Sequence, residues 1–352
     1  MKKSELITAL RFALPGTERL AGGGMDRVLF DTEWVRSYNE NISVSYPFKT
    51  DTEIAVRAEE FYKILTKMPG EEVDFRVDEE KRLIISSPSK KTKLKLLSLP
   101  VEDYQKLRAN ILSLKVDDWL PLPKGFSIGL PLSLMSGMRD SRLGKIAGVG
   151  FKSKAIVSTD NYKVSYYEME SGITDELFRL RLSAVESLVK LQKEFESVAI
   201  NKMWLHLKAK DGIVVSVRIL PTAEYPISDI LGVFQKYEDT ETTKTYEFPK
   251  GLEEALSRVA VLAYEGDEDF KTLVNFTKEE GDLVLRSHQS FGEIEDRIAW
   301  DGELPEGGFS ASPAWLKRIL RETKKFKVST DRKTLLFEAP NFKYLMLTKV
   351  GK

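Results

Sequence analysis

The run EEFYKILTKMPGEEVDFRVDEEKRLIISSPSKKTKLKLLSL, residues 59–99, holds one complete structural unit. Its opening segment sets Phe61, Ile64, Leu65 and Met68 at helical spacing, and Pro69-Gly70 ends the helix. Val73, Phe75 and Val77 then alternate with charged residues, DEEK (78–81) turns the chain, and two further alternating runs follow. The unit is a helix and a three-strand meander.

The same plan recurs twice. From Ser183, AVESLVKLQKEF places Val185, Leu188, Val189 and Phe195 mostly on one helical face, SVAINKMWLHLKAKDGIVVSVRIL follows, and Lys210-Asp211-Gly212 supplies a hairpin turn. In the third copy Pro313 stands near a helix start, AWLKRILRETKK continues the helix, and KFKVSTDRKTLLFEAPNFKYLMLTKV reads as strands. A matching half precedes each copy, with helices expected at Ser4–Leu14, Leu130–Met138 and Gly251–Ala263 and Ser4 as the first N-cap. Phe61 and Val185 are equivalent positions 124 residues apart, and Val185 and Leu316 lie 131 apart. Composition changes at Trp119–Gly125 and at Asp239–Thr245, both of which read as linkers. The expected domains are therefore 1–120, 121–246 and 247–352. The fold class is α+β, each domain carrying two helices collected on one face of antiparallel sheets.

Composition narrows the function. The chain of 352 residues is 42% hydrophobic, enough for several cores and too much for a disordered chain. With 54 Lys+Arg against 54 Asp+Glu, contact with nucleic acid has to come from segregated charge. The absence of cysteine removes thiol nucleophiles, thiolate metal sites and disulfides together, and no redox chemistry is expected. The short, interrupted apolar stretch at the N-terminus does not read as a signal peptide, and a soluble, cytoplasmic protein is expected. Catalysis finds little support: His206 and His288 both fall on strands, and there is no HExxH, no carboxylate cluster at ligand spacing and no nucleophile elbow. Gly22-Gly-Gly24 is not followed by GK[ST], and Thr159-Asp160 reads as a structural turn rather than an acid–base pair. No enzyme activity, metal or cofactor is expected.

Several short strings, falling at equivalent points of the repeat, resemble the bacterial DNA polymerase III beta subunit, the sliding clamp. Ile156-Val-Ser-Thr-Asp-Asn-Tyr-Lys-Val164 is similar to the family's VATDGHRL segment, and Asp140-Ser-Arg142 with Ile146-Ala-Gly-Val-Gly-Phe151 to its DESRPxLxGVxF segment. Leu99-Pro-Val-Glu-Asp-Tyr104 resembles the LPxxDFP that ends domain one, and Glu224-Tyr-Pro226 the GxFPDY that ends domain two. The resemblance implies a head-to-tail homodimer whose six domains close a ring lined by twelve helices. It also implies that DNA polymerase and a clamp loader dock short peptides in a cleft between the second and third domains. Some positions depart from the family. The strand before the first helix is short or missing, Glu59 and Glu60 replace basic residues, Asn161 and Lys163 replace a glycine and an arginine, and Leu345-Met-Leu-Thr-Lys-Val-Gly-Lys352 lacks the usual proline. These mark a divergent clamp, nucleoid-associated and of viral or mobile-element origin.

Three sets of residues follow from this reading. A ring that slides on double-stranded DNA needs sequence-blind cations near phosphates. The candidates on or beside helices are Lys2, Lys3, Arg11, Lys63 and Lys67, then Arg139, Arg142, Lys145, Lys190 and Lys193, then Arg258, Lys317, Arg318 and Arg321, with Lys324 and Lys325 beyond them. Any one of these reads equally as part of a solvated helix face. The resemblance places Ile146, Thr159, Tyr162, Lys163 and Val164 in the partner-peptide cleft, with Pro226, Ile230 and Leu231 and with Leu345, Met346 and Leu347. Plain strand core is the competing reading for Ile146, Val164 and Leu345. Edge strands pair in a closed ring, and Leu94 and Leu96 are expected to face Val261 and Leu262 across a dimer interface, with burial in the subunit's own core as the alternative. Two other functions stay open: a clamp-fold adaptor that binds replication proteins without encircling DNA, and a hydrolase or nuclease on a duplicated scaffold.

Overall fold

A computed structural model describes residues 1–18, 24–87, 92–138, 144–222, 225–238, 244–263, 273–329 and 333–348. The chain opens with α1 (Lys3–Ala13), followed by β1 (Arg27–Asp31), β2 (Trp34–Tyr38), β3 (Ile42–Pro47) and β4 (Glu53–Arg57). Then come α2 (Ala58–Lys67), the meander β5 (Asp74–Val77), β6 (Arg82–Ser86) and β7 (Lys93–Leu97), and α3 (Val101–Leu112). The pattern repeats through β8 (Leu120–Pro121), α4 (Phe126–Ser133), β9 (Val149–Lys152), β10 (Ala155–Thr159), β11 (Lys163–Glu168) and β12 (Phe178–Leu180). Its second half is α5 (Leu182–Leu191), β13 (Phe195–Ile200), β14 (Trp204–Ala209), β15 (Val214–Leu220) and α6 (Ile227–Glu238). The last repeat holds β16 (Thr245–Glu247), α7 (Leu252–Ala263), β17 (Val274–Glu279), β18 (Asp282–Gln289), β19 (Gly292–Ala299) and β20 (Phe309–Ala311). It closes with α8 (Pro313–Ile319), β21 (Lys325–Val328), β22 (Thr334–Ala339) and β23 (Phe342–Leu347).

Two compact units hold these elements, Met1–Pro123 with Ser183–Leu220, and Lys124–Leu182 with Pro221–Lys352. In the first, an antiparallel sheet runs β4-β1-β2-β3-β15-β14-β13-β8, and β5-β6-β7 forms a separate sheet. In the second, the order is β12-β9-β10-β11-β23-β22-β21-β16, beside a sheet β19-β18-β17-β20. The two units share one plan. In each, the third strand of one half-repeat, β3 or β11, pairs with the last strand of a distant meander, β15 or β23.

Burial on both sheet faces explains the apolar runs. Along β1, Val28 and Phe30 pack with Leu6 and Leu10 of α1 and with Phe61 and Leu65 of α2, while Leu29 turns to the other side against Tyr104, Leu107 and Ile111 of α3. A strand covered on both faces loses the usual apolar–polar alternation. Each such fully buried Leu or Phe contributes about 1.5–3 kcal/mol.

Several expectations are corrected. Ser4 lies inside α1 and its carbonyl accepts a hydrogen bond from Thr8 Oγ1; the N-cap is Lys2, with no side-chain capping bond. The helix expected at Leu130–Met138 begins four residues earlier, after Gly125, whose φ of 90° suits the entry and whose added Cβ would lie 2.8 Å from the Tyr167 hydroxyl. Helices are not confined to one face, because α3 packs on the side of β1 away from α1 and α2. The N-terminal edge strand, expected to be short or missing, is indeed a single bridge between Lys2 and Glu72, beside the bond from Lys3 N–H to the Glu71 carbonyl.

Candidate partner cleft, strand edges and basic helices

The turn from β10 into β11 is built by its own side chains. Asp160 Oδ1 accepts the amides of Tyr162 and Lys163 at 3.0 and 2.8 Å, and Asn161 takes the left-handed conformation that Asn tolerates. Thr159 Oγ1 donates to the Lys163 carbonyl at 2.8 Å. The Lys163 ammonium ends 3.0 Å from Asp160 and 4.4 Å from the centre of the Trp315 ring. Asp160 is thus occupied in shaping this turn.

Pairing of β11 with β23 brings the cleft segments together: Val164 stands opposite Leu345, Lys163 opposite Met346, and the Leu347 amide donates to the Tyr162 carbonyl at 2.8 Å. Strand alternation then divides the set. Val164 and Leu345 share a cluster with Ala155, Val157, Tyr225 and Ile230, with Leu231 packed at its margin and Pro226 half-buried beside it. Met346 points to the opposite face and is fully enclosed, as Lys163 nearly is. Tyr162 and Leu347 remain open at the end of the seam, 41% and 39% exposed. Ile146 is buried in the turn leading to β9, where Arg179 Nη1 donates to the Gly144 and Ala147 carbonyls. Farther along the same strands a hollow of about 450 Å³ opens beside α6, lined by Tyr166, Leu231, Phe234, Phe342 and Lys343.

The residues expected at an interface lie on strand β7 and, contrary to the expected pairing of edge strands, on helix α7. The Ser87 amide bonds the Thr92 carbonyl, so by alternation Leu94 and Leu96 direct their main-chain groups to β6, while those of Lys93, Lys95 and Leu97 point away from it. The side chains of Leu94 and Leu96 pack on their own unit's core, and Leu97 is 74% exposed. On β19 the bond from the Trp300 amide to the Gly281 carbonyl sets the same alternation and directs the main-chain groups of Glu293, Glu295, Arg297 and Ala299 away from β18, while the Glu295 side chain accepts from Arg286 of β18. Among the described residues neither β7 nor β19 has a strand on its outer side. On α7, Val261 is 73% exposed and Leu262 is half-buried.

The basic candidates differ in how far they are committed. Lys3 donates to the Met68 carbonyl at the end of α2, Lys63 pairs with Glu59, Lys193 with Asp211, Arg258 with Asp296, and Lys2 with Glu5. Arg11 lies 5.6 Å from the centre of the Phe12 ring. Lys67, Lys190, Arg318 and Arg321 are exposed and Lys317 half-buried, with no carboxylate at ion-pair distance among the described residues. Lys145 is exposed, Lys324 is half-buried and Lys325 exposed. Arg139 and Arg142, with the Asp140–Arg142 string and Glu224, lie outside the described residues.

Sequence reasoning passed over α3 and α6, although Tyr104, Leu107 and Ile111, and likewise Ile227, Ile230 and Phe234, carry i, i+3, i+7 spacing after Pro100 and Pro226. It also passed over Trp315, which no local pattern connects to Lys163. Among the described residues no group of three or more His, Asp or Glu is arranged to hold a metal ion, and no helix is long and apolar enough to cross a membrane.

The comparisons with known proteins agree on one fold. The sequence model of the DNA polymerase III beta subunit, N-terminal domain, matches residues 28–108. A search of the curated proteins finds no match. Among solved structures, the DNA polymerase sliding clamp from Bacillus subtilis superposes with a TM-score of 0.75 at 17% identity, covering 100% of this chain and 98% of that one. The DNA polymerase III beta chain from Streptococcus pneumoniae gives 0.78 at 15%, covering 99% and 98%. A putative DNA polymerase III beta subunit from Eubacterium rectale gives 0.77 at 15%, covering 99% and 97%. Residues 28–108 thus match the DNA polymerase III beta subunit family model, within a chain that shares the fold of solved beta subunits along its whole length.

Proposed function

We propose that the protein is a DNA sliding clamp: a non-catalytic homodimeric ring of three domains per chain, 1–120, 121–246 and 247–352, that encircles duplex DNA and tethers a polymerase. The observation that carries this reading is the unfinished strand pattern. The join of a third strand to the last strand of a meander is made twice within the chain, as β3 with β15 and β11 with β23. The third set, β19 and β7, is left open among the described residues. Making that join between two copies, head to tail at both ends, pairs both of these edges and closes the assembly. Lys93 and Lys95 line one edge and Glu293 the other, where Glu295 is already paired with Arg286 and Arg297.

In this assembly the exposed cations of α1, α2, α5 and α8 supply phosphate contacts without base readout, which permits sliding. Client peptides, including those of a polymerase and a loader, insert apolar side chains beside α6, with Leu231, Tyr162 and Leu347 as the accessible contacts and Val164, Leu345 and Ile230 as the floor. The protein works in the cytoplasm, on the nucleoid or on the DNA of a mobile element. The second reading, an adaptor that does not encircle DNA, draws on Glu59 and Glu60 at the start of α2 and on the one-bridge N-terminal edge. Sedimentation velocity over a concentration series separates the two. The clamp reading requires a dimer at micromolar concentration, and a chain that stays monomeric there supports the adaptor.

A further inference from the structure

The seam β3–β15 in the first unit is the repeat's counterpart of β11–β23 in the second, but it carries different residues. Where β11–β23 places Val164 opposite Leu345 and Tyr166 opposite Lys343, β3–β15 places Ser43 opposite Ser216 and Ser45 opposite Val214. The covering helix differs too. Ile230 and Phe234 of α6 pack on their seam, whereas Tyr104, Leu107 and Ile111 of α3 pack on Leu29, Ala55 and Tyr38, to one side of theirs. The small side chains and the displaced helix leave a groove of about 580 Å³ along the seam. Trp34, Trp119, Leu112, Leu114 and Val116 form its walls.

The polar groups of this groove are not balanced. Arg36 lies 4.7 Å from the Trp34 ring centre, gives Nη1 to Ser45 Oγ at 2.7 Å and is held at 3.3 Å by Asp31. Lys115 is paired with Asp117 at 3.4 Å. Lys208, 5.5 Å from the Trp119 ring centre, has no carboxylate at ion-pair distance among the described residues. One uncompensated ammonium inside an apolar groove calls for one carboxylate from outside. The floor serines Ser43 and Ser45 are two residues apart on one strand, about 6.6–6.8 Å, which is also the repeat between same-side chains of an extended peptide. We propose that this groove is a second docking site, taking a short extended peptide in which an acidic residue stands beside apolar side chains. It stands on the geometry of one unit and requires neither ring closure nor DNA.

The probe is acetyl-Asp-Leu-Phe-amide, titrated into the full chain by calorimetry and by tryptophan fluorescence, against acetyl-Lys-Leu-Phe-amide and N-acetylaspartate. The Asp peptide binds more tightly than the Lys peptide by about tenfold or more, the factor that about 1.4 kcal/mol of charge preference gives. Lys208→Glu reverses the preference, and Trp119→Ala weakens both peptides with the circular dichroism spectrum intact. Leu231→Glu removes binding of the same peptides beside α6 and leaves the Asp-over-Lys preference at this groove in place. Equal affinity for the two peptides overturns the proposal, as does loss of the preference in Leu231→Glu but not in Lys208→Glu. N-acetylaspartate binding as tightly as the peptide also overturns it, because the groove is then a small-molecule pocket. Sedimentation of the same samples keeps the two readings apart: a monomeric chain with the charge preference intact refutes the ring and leaves this site standing.

Discussion

Lys95→Pro probes the open edge of β7 with little cost to the subunit. The Lys95 main chain points away from β6, so proline removes an N–H that the subunit's own sheet does not use, and proline is accepted on edge strands. If β7 pairs with β19 of a second copy, the substitution deletes one intersubunit hydrogen bond, about 0.5–1.5 kcal/mol net, and pushes a ring against the facing strand. A loss of at least about 1.4 kcal/mol per interface raises the dissociation constant about tenfold. A closed ring has two such interfaces, and the effect compounds. Sedimentation velocity from nanomolar to micromolar concentration reads the shift, and thermal melting checks that the fold survives. Lys93→Thr, which keeps the backbone donor and removes one charge, changes dimerisation by less. A Lys95→Pro protein that dimerises as tightly as the parent, with the same melting temperature, refutes pairing through this edge. Leu96→Glu is a poorer test, because Leu96 packs on its own core and its loss unfolds as well as separates.

Met346→Ala and Leu347→Ala separate core from cleft. Met346 is fully enclosed, so its truncation costs about 2–5 kcal/mol of stability in denaturant melts, while Leu347→Ala costs little stability and weakens client-peptide binding by about 1–3 kcal/mol. Removing exposed cations on or just after helices by Lys67→Glu and Arg321→Glu lowers affinity for duplex DNA and flattens its salt dependence, independent of sequence; an unchanged slope of log K against log salt removes these residues from the DNA path. Burial lowers the pKa of His206 to about 4, and its ring lies between Ser216 Oγ at 2.8 Å and Asn201 Nδ2 at 3.2 Å. The unfolded chain therefore takes up a proton near pH 6.5 and the folded chain only near 4. Stability is complete above pH 6.5 and declines between 6.5 and 4, by at most about 3 kcal/mol. His206→Asn removes that decline, and a pH profile identical to the parent's counts against the buried neutral histidine.

The repeat was legible in the sequence because each half-unit carries its own local pattern: apolar spacing in α2, alternation in β5, and Gly212 at the β14–β15 turn with φ 87°. Strand pairing at a distance was not legible. Nothing near Ile42–Pro47 names Val214–Leu220 as its neighbour, and that pairing fixes which residues share a seam. The cleft shows the same division. Family resemblance brought the correct strands together, Val164 beside Leu345, but placing Met346 on the far face required the register. At the edge, Leu94 and Leu96 drew notice as apolar residues, although the groups open to a partner are the backbone of Lys93, Lys95 and Leu97. Hydropathy marks side chains, whereas an open edge is a property of main-chain hydrogen bonding.

Electron microscopy of the purified full chain distinguishes a ring from an open adaptor. Closed rings of two copies with a central opening wide enough for duplex DNA are expected, with Lys95→Pro shifting the population toward single subunits. Particles that are single subunits, or dimers joined at one edge only with no enclosed opening, contradict the ring.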